Sequence, residues 1–175
     1  MLLKDKNSII TGCNRGIGKE IVRVFAENGA DIWACVRKES HSFPKYLSNL
    51  EKKHWVKINP VYFDLGDKEQ IKAGIQTIKG SKKSVDILVN NAGCFIPGKI
   101  SEEPDGVLEK LMDTNLYSAY YLTRGLLPLL KKSNKGHIFN MCSVASILPY
   151  ENGGSYSITK YALLGFSKCL REELK

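Results

Sequence analysis

The sequence predicts an α/β fold, a doubly wound parallel sheet with helices on both faces. Short apolar runs alternate with helical patterns along most of the 175 residues, and this order favours parallel strands joined by right-handed helical crossovers. The runs are continuously apolar, as in strands that are buried on both faces. A glycine-rich stretch, TGCNRGIGKE at 11–20, follows the first apolar run and precedes the first helical pattern. Ligands bind at this end of the strands in such sheets.

The apolar runs predict five strands, at Asn7–Thr11, 30–36, 56–64, 85–89 and 136–141. Pro60 lies inside the third run. Because proline has no N–H to donate to a sheet ladder, we expect the third strand at an edge of the sheet.

The helical patterns lie at 16–28, 45–53, 67–78, 104–132 and 155–174. Gly29 is a stop signal after the first helix, and Asp67 is a good N-cap for the third. We expect the long 104–132 stretch to contain two helices in succession. The whole organisation fits one domain, spanning 1–175.

Composition is that of an ordinary globular protein, with 43% apolar and 25% charged residues. No apolar stretch approaches the roughly 20 residues that span a bilayer, and the N-terminus lacks the pattern of a signal peptide. We therefore expect a cytoplasmic protein with no membrane partner. The 5 cysteines are scattered, with no C-x-x-C pair and no zinc-ligand spacing. We expect reduced thiols and no metal site.

The net charge of +8 could suit a nucleic acid, but the basic residues are dispersed along the chain. Neither a clustered basic face nor an aromatic stacking platform is visible, so we expect no nucleic-acid partner. A solvated surface is the better interpretation of the charge, with an anionic cofactor as a second contributor.

The glycine-rich loop fits neither of two common phosphate-binding spacings. A P-loop would need glycine where Ile17 stands, and serine or threonine where Glu20 follows the lysine. The spacing G-x-G-x-x-G fails because Asn14 and Ile17 occupy two of its glycine positions. The remaining pattern, T-G-x-x-x-G-x-G at 11–18, still offers a tight turn and the free N–H groups of a helix N-terminus. Taken alone, it could also be plain turn geometry.

Three further motifs change this interpretation. NNAG at 90–93 ends the fourth strand, Ser143 follows the fifth strand, and YSITK at 156–160 opens the last helix. With these motifs the chain resembles the short-chain dehydrogenase/reductase family, nearest to its 3-oxoacyl-carrier-protein reductase-like members. The resemblance runs from residue 7 to the C-terminus. It implies a Rossmann-type sheet and an oxidoreductase that uses NAD or NADP.

Tyr156 and Lys160 are four residues apart and therefore share one face of a helix. A lysine cation there favours the phenolate, so Tyr156 can exchange a proton with a carbonyl or alcohol oxygen. The resemblance implies that Ser143 hydrogen-bonds the substrate oxygen and that Lys160 also holds the cofactor ribose. It implies that Asn115 bends its helix and holds a water that connects Lys160 to solvent. Cys142 stands where many relatives have serine, which leaves Ser143 as the expected catalytic position.

NADP is favoured over NAD as the cofactor. The second strand ends in CVRK at 35–38, with no acid to hold a ribose 2′-hydroxyl, and Asp31 lies at the other end of that strand. Arg37 and Arg15 could instead pair with a 2′-phosphate. The resemblance implies that the residues after the third strand contact the adenine. In full, the expected cofactor contacts are Gly12, Asn14, Arg15, Gly16, Ile17, Gly18, Arg37, Asp64, Leu65, Asn90, Asn91, Ala92, Gly93, Tyr156 and Lys160.

The chain stops inside its last predicted helix, whereas the resembled family continues with two more strands and a helical substrate-binding lobe. The strand order 3-2-1-4-5-6 also needs a sixth strand, so we expect the fifth strand to be an open edge. We expect a fragment of a longer protein, truncated before the substrate-binding lobe; the alternative is a naturally shortened relative. The resemblance further implies a homodimer or homotetramer formed through 104–132 and 155–174.

We therefore expect an NADP-dependent oxidoreductase that transfers hydride between NADP(H) and a ketone or secondary alcohol. Apolar residues near Ser143, namely Ile147, Leu148 and Tyr150, indicate only an uncharged substrate end. The alternative is a non-catalytic dinucleotide-binding or sensor protein of the same fold. The two hypotheses differ in whether ketones drive the oxidation of NADPH, and the isolated chain is expected to turn over weakly or not at all.

Overall fold

The structure is a computed structural model that describes residues 1–80, 84–133 and 135–175. In these residues a single parallel sheet contains β1 (Asn7–Thr11), β2 (Asp31–Val36), β3 (Ile58–Tyr62), β4 (Ile87–Asn90) and β5 (His137–Asn140). The strand order is β3-β2-β1-β4-β5. The predicted doubly wound parallel sheet is confirmed, and the direction of winding reverses between β1 and β4.

In the described residues, one helix or a pair of helices follows each strand. These helices are α1 (Gly16–Glu27), α2 (Phe43–His54), α3 (Lys68–Gly80), α4 (Val107–Met112), α5 (Ser118–Leu130) and α6 (Gly154–Glu173). A π-helical turn, Asp113–Tyr117, joins α4 to α5, and a short 3-10 turn, Val144–Ser146, follows β5. None of the helices in the described ranges is both long and apolar enough to cross a bilayer.

The sheet separates two apolar cores, because successive strand side chains point to opposite faces. Ile10 of β1 packs with Val22 of α1 and Leu47 of α2 on one face. Ile9, its neighbour, packs with Ile71 of α3 and with helix α5 on the other face. Both isoleucines are fully buried. Both faces are covered at the central strands β1 and β4, which leaves their ends accessible to a ligand, whereas Phe139 of β5 is 51% exposed.

Element boundaries differ from the predicted ones by a few residues. Helix α2 begins at Phe43 and includes Pro44 in its first turn, because a proline at this position removes an N–H that has no partner in the helix. Strand β3 is shorter than predicted and ends at Tyr62. The predicted two helices within 104–132 are confirmed, although the first begins only at Val107, after Gly106 in a left-handed conformation with φ 87°.

Strand β3 lies at the edge of the sheet, as Pro60 predicted. The Phe63 N–H donates to the Val36 carbonyl at 3.0 Å, so the backbone N–H of residue 63 points toward the neighbouring strand β2. Successive residues of a strand alternate in direction, and Ile58 accordingly turns its N–H away from β2. There it donates to the Glu51 carboxylate of α2 at 2.7 Å.

Candidate functional site

The carboxyl ends of the strands meet at one edge of the sheet. Thr11 pairs with Cys35 in the β1–β2 register, and Asn90 pairs with Asn140 in the β4–β5 register. Ile10 is level with Val89, one residue before each of these ends. The loops that follow β1, β2, β4 and β5 therefore open onto the same edge. The glycine-rich loop, NNAG, Ser143 and YSITK lie at these strand ends or on the helices that follow.

The glycine-rich loop after β1 depends on glycine for its shape. Gly12 has φ +65°, and a Cβ added there would lie 2.8 Å from the Ala92 Cα, closer than atoms pack. A Cβ at Gly18 would run into the Gly12 carbonyl oxygen. Gly16 has φ +54° and open space around its would-be Cβ. The first two glycines let the loop approach both the β4 loop and helix α1, and the third faces open space.

The N-terminus of α1 suits an anionic group. Among the described residues no side chain caps this terminus, and its first turn contains no acid. Asn14, Arg15 and Ile17 are exposed around it, Ile17 to 64%. Uncapped first-turn N–H groups and the helix dipole attract anions, and a loop without side chains in the way lets a diphosphate reach them. These residues fit the diphosphate of a dinucleotide.

Asn91 connects the loops after β1 and β4. Its Nδ2 donates to the Thr11 carbonyl at 2.9 Å and to the Gly12 carbonyl at 3.2 Å. The Thr11 hydroxyl in turn accepts from the Asn91 N–H at 3.1 Å and the Ala92 N–H at 3.0 Å, and donates to the Val89 carbonyl. Sequence reasoning assigned no role to Thr11, although it directly precedes Gly12 in the motif.

Asn90 points in the opposite direction from its neighbour. Its side chain is buried, and its Nδ2 donates to the Asn140 Oδ1 at 2.8 Å and the Thr123 hydroxyl at 3.2 Å. The Asn140 amide continues this chain of hydrogen bonds to Ser167 of α6 at 2.8 Å. The observed contacts of the Asn90 side chain are thus with α5 and β5, and its cofactor contact stays a prediction.

Tyr156 and Lys160 lie together on α6, as their spacing predicted, with the Lys160 Nζ 5.7 Å from the centre of the tyrosine ring. Lys160 is 95% buried, since its exposed fraction is 5%, and its Nζ donates to the Met141 carbonyl at 2.7 Å. Burial lowers the pKa of Lys160, against a weaker opposite influence of the nearby Cys142 and Cys94 thiols. The Tyr156 ring packs edge-on against Phe95, with centres 4.8 Å apart.

Ser143 is held in place by its own turn. Its hydroxyl oxygen accepts from the Ala145 N–H at 3.2 Å, and its N–H donates to the Ser146 hydroxyl at 3.0 Å. This reciprocal pair is a capping box on the 3-10 turn after β5. Because the Ser143 oxygen serves only as acceptor there, its hydroxyl proton is left to be donated elsewhere.

Asn115 lies in the π-helical turn and is 2% exposed. Its Oδ1 accepts from the Cys94 N–H at 2.8 Å, and its Nδ2 donates to the Cys94 carbonyl at 2.9 Å and the Thr159 hydroxyl at 3.0 Å. A Cβ at Gly93 would lie 3.2 Å from the Asn115 Oδ1 and 3.7 Å from the Lys160 Nζ. The structure therefore brings Asn115, Gly93 and Lys160 together, and the water that Asn115 would hold stays a prediction.

The residues predicted to select NADP lie after β2 and β3. Arg37 directly follows β2 and is exposed, as is Arg15 in the loop after β1. Asp64 and Leu65 follow β3, and the Asp64 Oδ1 accepts from the Gly66 N–H at 2.9 Å, which shapes the turn. Their contacts with a cofactor remain predictions.

An open cleft of about 820 Å³ runs along one side of α6. Its walls come from the loop after β4, from the segment before α6 and from α6 itself. They consist of Gly98, Lys99, Ile100, Ser101, Pro149, Tyr150, Asn152, Gly154, Ser157, Ile158 and Tyr161. The cleft was invisible in the sequence, because the three contributing segments are joined only by folding.

Comparison with known proteins extends these observations. A family model described as short chain dehydrogenase matches residues 6–175. The chain is 34% identical over 170 residues to dehydrogenase/reductase SDR family member 7B of Xenopus laevis, which covers 95% of this chain and 53% of that protein. The chain thus spans about half the length of this curated relative.

Solved structures also match the chain over nearly its whole length. A short chain dehydrogenase from Pseudomonas syringae superposes with a TM-score of 0.93 at 27% identity, covering 99% of this chain and 71% of that one. The L-sorbose reductase of Gluconobacter frateurii, solved with NADPH and L-sorbose, superposes with a TM-score of 0.90 at 32% identity. That match covers 98% of this chain and 65% of the reductase.

Proposed function

Since this chain belongs to the short-chain dehydrogenase family, whose members are oxidoreductases, we propose that it transfers hydride between NADP(H) and a ketone or secondary alcohol. The observation that carries the proposal is the convergence of Lys160, Tyr156, Gly93 and Asn115 at the carboxyl edge of the sheet. A buried lysine beside a tyrosine, next to a helix N-terminus suited to a diphosphate, is an arrangement that supports proton transfer beside a bound dinucleotide.

The nicotinamide would supply the hydride, and the residues of this chain would handle the proton and the orientation. The Ser143 hydroxyl proton would be donated to the substrate oxygen. Tyr156 would give a proton to that oxygen in reduction and take it back in oxidation. Lys160, held by the Met141 carbonyl at 2.7 Å, would stabilise the phenolate and bind the cofactor ribose.

The preference for NADP rests on charge at the ends of β1 and β2. Arg37 and Arg15 are exposed there, and the segment 35–38 contains no carboxylate that would repel a 2′-phosphate. A guanidinium suits a phosphate because it donates two parallel hydrogen bonds. The L-sorbose reductase, a structural relative, was solved with NADPH, which supports the same choice.

The substrate is proposed to carry an uncharged, largely apolar group beside its carbonyl. Ile147 and Leu148, which follow Ser143 closely, are 70% and 61% exposed, and Ile100, Tyr150 and other apolar residues line the cleft beside α6.

We further propose a cytoplasmic homo-oligomer formed through α4, α5 and α6. Exposed Tyr120 and Tyr161 support such an interface, and the free cysteines support a reducing compartment.

The test is NADPH oxidation by the full-length protein with a panel of ketones, namely L-sorbose, cyclohexanone and ethyl acetoacetate. We expect turnover with at least one ketone and a loss of about 100-fold or more in kcat for Tyr156→Phe, since general acid–base catalysis contributes this much. NADPH binding should persist in that variant. Turnover that Tyr156→Phe leaves unchanged contradicts the mechanism. Binding without turnover of any ketone would instead favour the non-catalytic dinucleotide-binding role.

A further inference from the structure

The N-terminus of α6 is closed by an acid from a distant part of the chain. Glu103, in the segment between β4 and α4, accepts the Ser155 N–H at 3.0 Å through its Oε1. Its Oε2 accepts a hydrogen bond from the Ser155 hydroxyl. Ser155 directly precedes Tyr156, so the Glu103 carboxylate is hydrogen-bonded to the helical turn that carries Tyr156.

Two glycines leave the space that this carboxylate occupies. A Cβ at Gly98 would lie 2.8 Å from the Glu103 Cγ, and a Cβ at Gly154 would run into the Glu103 Oε1. Gly154 also has φ +34°, a conformation that side chains disfavour. The Gly98 N–H donates to the Asn152 carbonyl at 3.0 Å, which ties the same two segments together a second time.

Helix α6 lacks any acid of its own at this end. Its first turn reads Gly-Ser-Tyr-Ser, and its N-cap residue, Gly153, has no side chain to accept a hydrogen bond. The first four N–H groups of a helix have no partner inside the helix, and a carboxylate near them is stabilised by the helix dipole. Glu103 supplies both an acceptor and a negative charge.

We infer that Glu103 is a positioning residue for Tyr156. It fixes the first turn of the helix that carries the tyrosine to the loop that forms one wall of the cleft, since Gly98 and Lys99 line that cleft. The inference rests on the proposed function, because it assigns Glu103 a role in the reaction of Tyr156. Glu103 contacts Ser155, so the role inferred for it acts through the first turn of α6.

The expected consequence is a change in kcat more than in KM. A misplacement of about 1 Å at a reacting group can cost as much as 100-fold in rate. The cleft wall keeps a second tie when Glu103 is replaced, because the Gly98 N–H still donates to the Asn152 carbonyl. Removing an interaction that matters only in the transition state lowers kcat and kcat/KM together. The affinity for NADPH should stay unchanged.

The experiment compares Glu103→Ala, Glu103→Gln and Glu102→Ala in the full-length protein, using the ketone of the panel that reacts fastest. We expect Glu103→Ala to lower kcat at least about tenfold, with KM within about threefold and the Kd for NADPH within about twofold. Glu103→Gln should restore most of kcat, because its amide oxygen still accepts the Ser155 N–H. Glu102 is the control, because its exposed carboxylate pairs with Lys99 at 3.3 Å and exposed pairs of this kind contribute little.

Amide hydrogen exchange supplies a readout that needs no turnover. In Glu103→Ala, exchange across 154–160 should quicken at least about tenfold, and Glu103→Gln should slow it again. Unchanged exchange would overturn the inference, as would a kcat within twofold of wild type or a loss of kcat that glutamine does not restore. These outcomes are distinct from failure of the proposed function, which the ketone panel and Tyr156→Phe decide.

Discussion

Replacing Asn115 with alanine removes an amide that joins three parts of the site. The amide accepts the Cys94 N–H, donates to the Cys94 carbonyl and donates to the Thr159 hydroxyl, all between 2.8 and 3.0 Å. Asn115 is 2% exposed, so little water can replace the lost partners. We therefore expect Asn115→Ala to destabilise the fold and not only the reaction.

The size of the effect follows from the groups left behind. A buried donor or acceptor without a partner costs about 1–3 kcal/mol, and the substitution orphans the N–H and the carbonyl of Cys94. Cys94 is only half-buried, which lets water relieve part of this cost. We expect the free energy of unfolding to fall by about 3 kcal/mol, a large share of the roughly 5–15 kcal/mol that stabilises a domain.

Urea unfolding followed by circular dichroism measures this change. With an m-value of about 2 kcal/mol/M, a loss of 3 kcal/mol lowers the midpoint by about 1.5 M. Asn49→Ala is the matched control, since Asn49 is exposed on α2 and surface substitutions stay within about 0.5 kcal/mol. A double-mutant cycle of Asn115→Ala with Thr159→Val should show a coupling energy of at least about 0.5 kcal/mol.

A midpoint that moves by less than about 0.3 M in Asn115→Ala would refute this reasoning. It would mean that Cys94 finds other partners and that Asn115 contributes little to folding. Additive effects of Asn115→Ala and Thr159→Val would refute a narrower part, the hydrogen bond between the two side chains.

Three further predictions concern the loop, the cofactor and the thiols. Wild-type protein should bind NADPH at least about tenfold more tightly than NADH. Arg37→Ala should remove most of that preference, because a hydrogen bond to a charged group contributes about 1.5–3 kcal/mol. Equal NADPH affinities of the variant and the wild type would contradict the assignment to Arg37. Gly12→Ala should lose about 1–3 kcal/mol of stability, as judged by urea midpoints, whereas Gly165→Ala, with open space around it, should lose none. Burial raises the pKa of Cys13 to about 12, so iodoacetamide at pH 8 should label exposed Cys169 in the folded protein and reach Cys13 only after unfolding. Peptide mapping measures this difference, and equal labelling of the two cysteines in the folded protein would disprove it.

Local patterns predicted those features that depend on residues close in sequence. Tyr156 and Lys160 meet because four residues make about one helical turn, and Pro60 marks an edge because its missing N–H is a property of one residue. The doubly wound parallel sheet followed from the regular alternation of strands and helices together with the handedness of their connections.

Features that depend on direction or on distant contacts could not be predicted in this way. Asn90 and Asn91 are neighbours at a strand end, yet one amide turns to the interior and the other to the loop, and a shift of one residue in register would exchange them. The contact of Glu103 with Ser155 spans 52 residues, and no periodicity or motif links these two positions. Such contacts exist only because the sheet brings the segments together.

The outer edge of β3 has a consequence for the protein in concentrated solution. The backbone groups of Ile58, Pro60 and Tyr62 face the same way, away from the neighbouring strand β2. The Ile58 N–H is occupied by Glu51, and Pro60 has none, so within β3 only Tyr62 presents a donor on that side. A strand that offers a single donor is a poor template for the stacking of further copies into a fibril, because that growth needs a continuous ladder of donors and acceptors. One proline and one carboxylate of α2 thus protect this flank of the sheet.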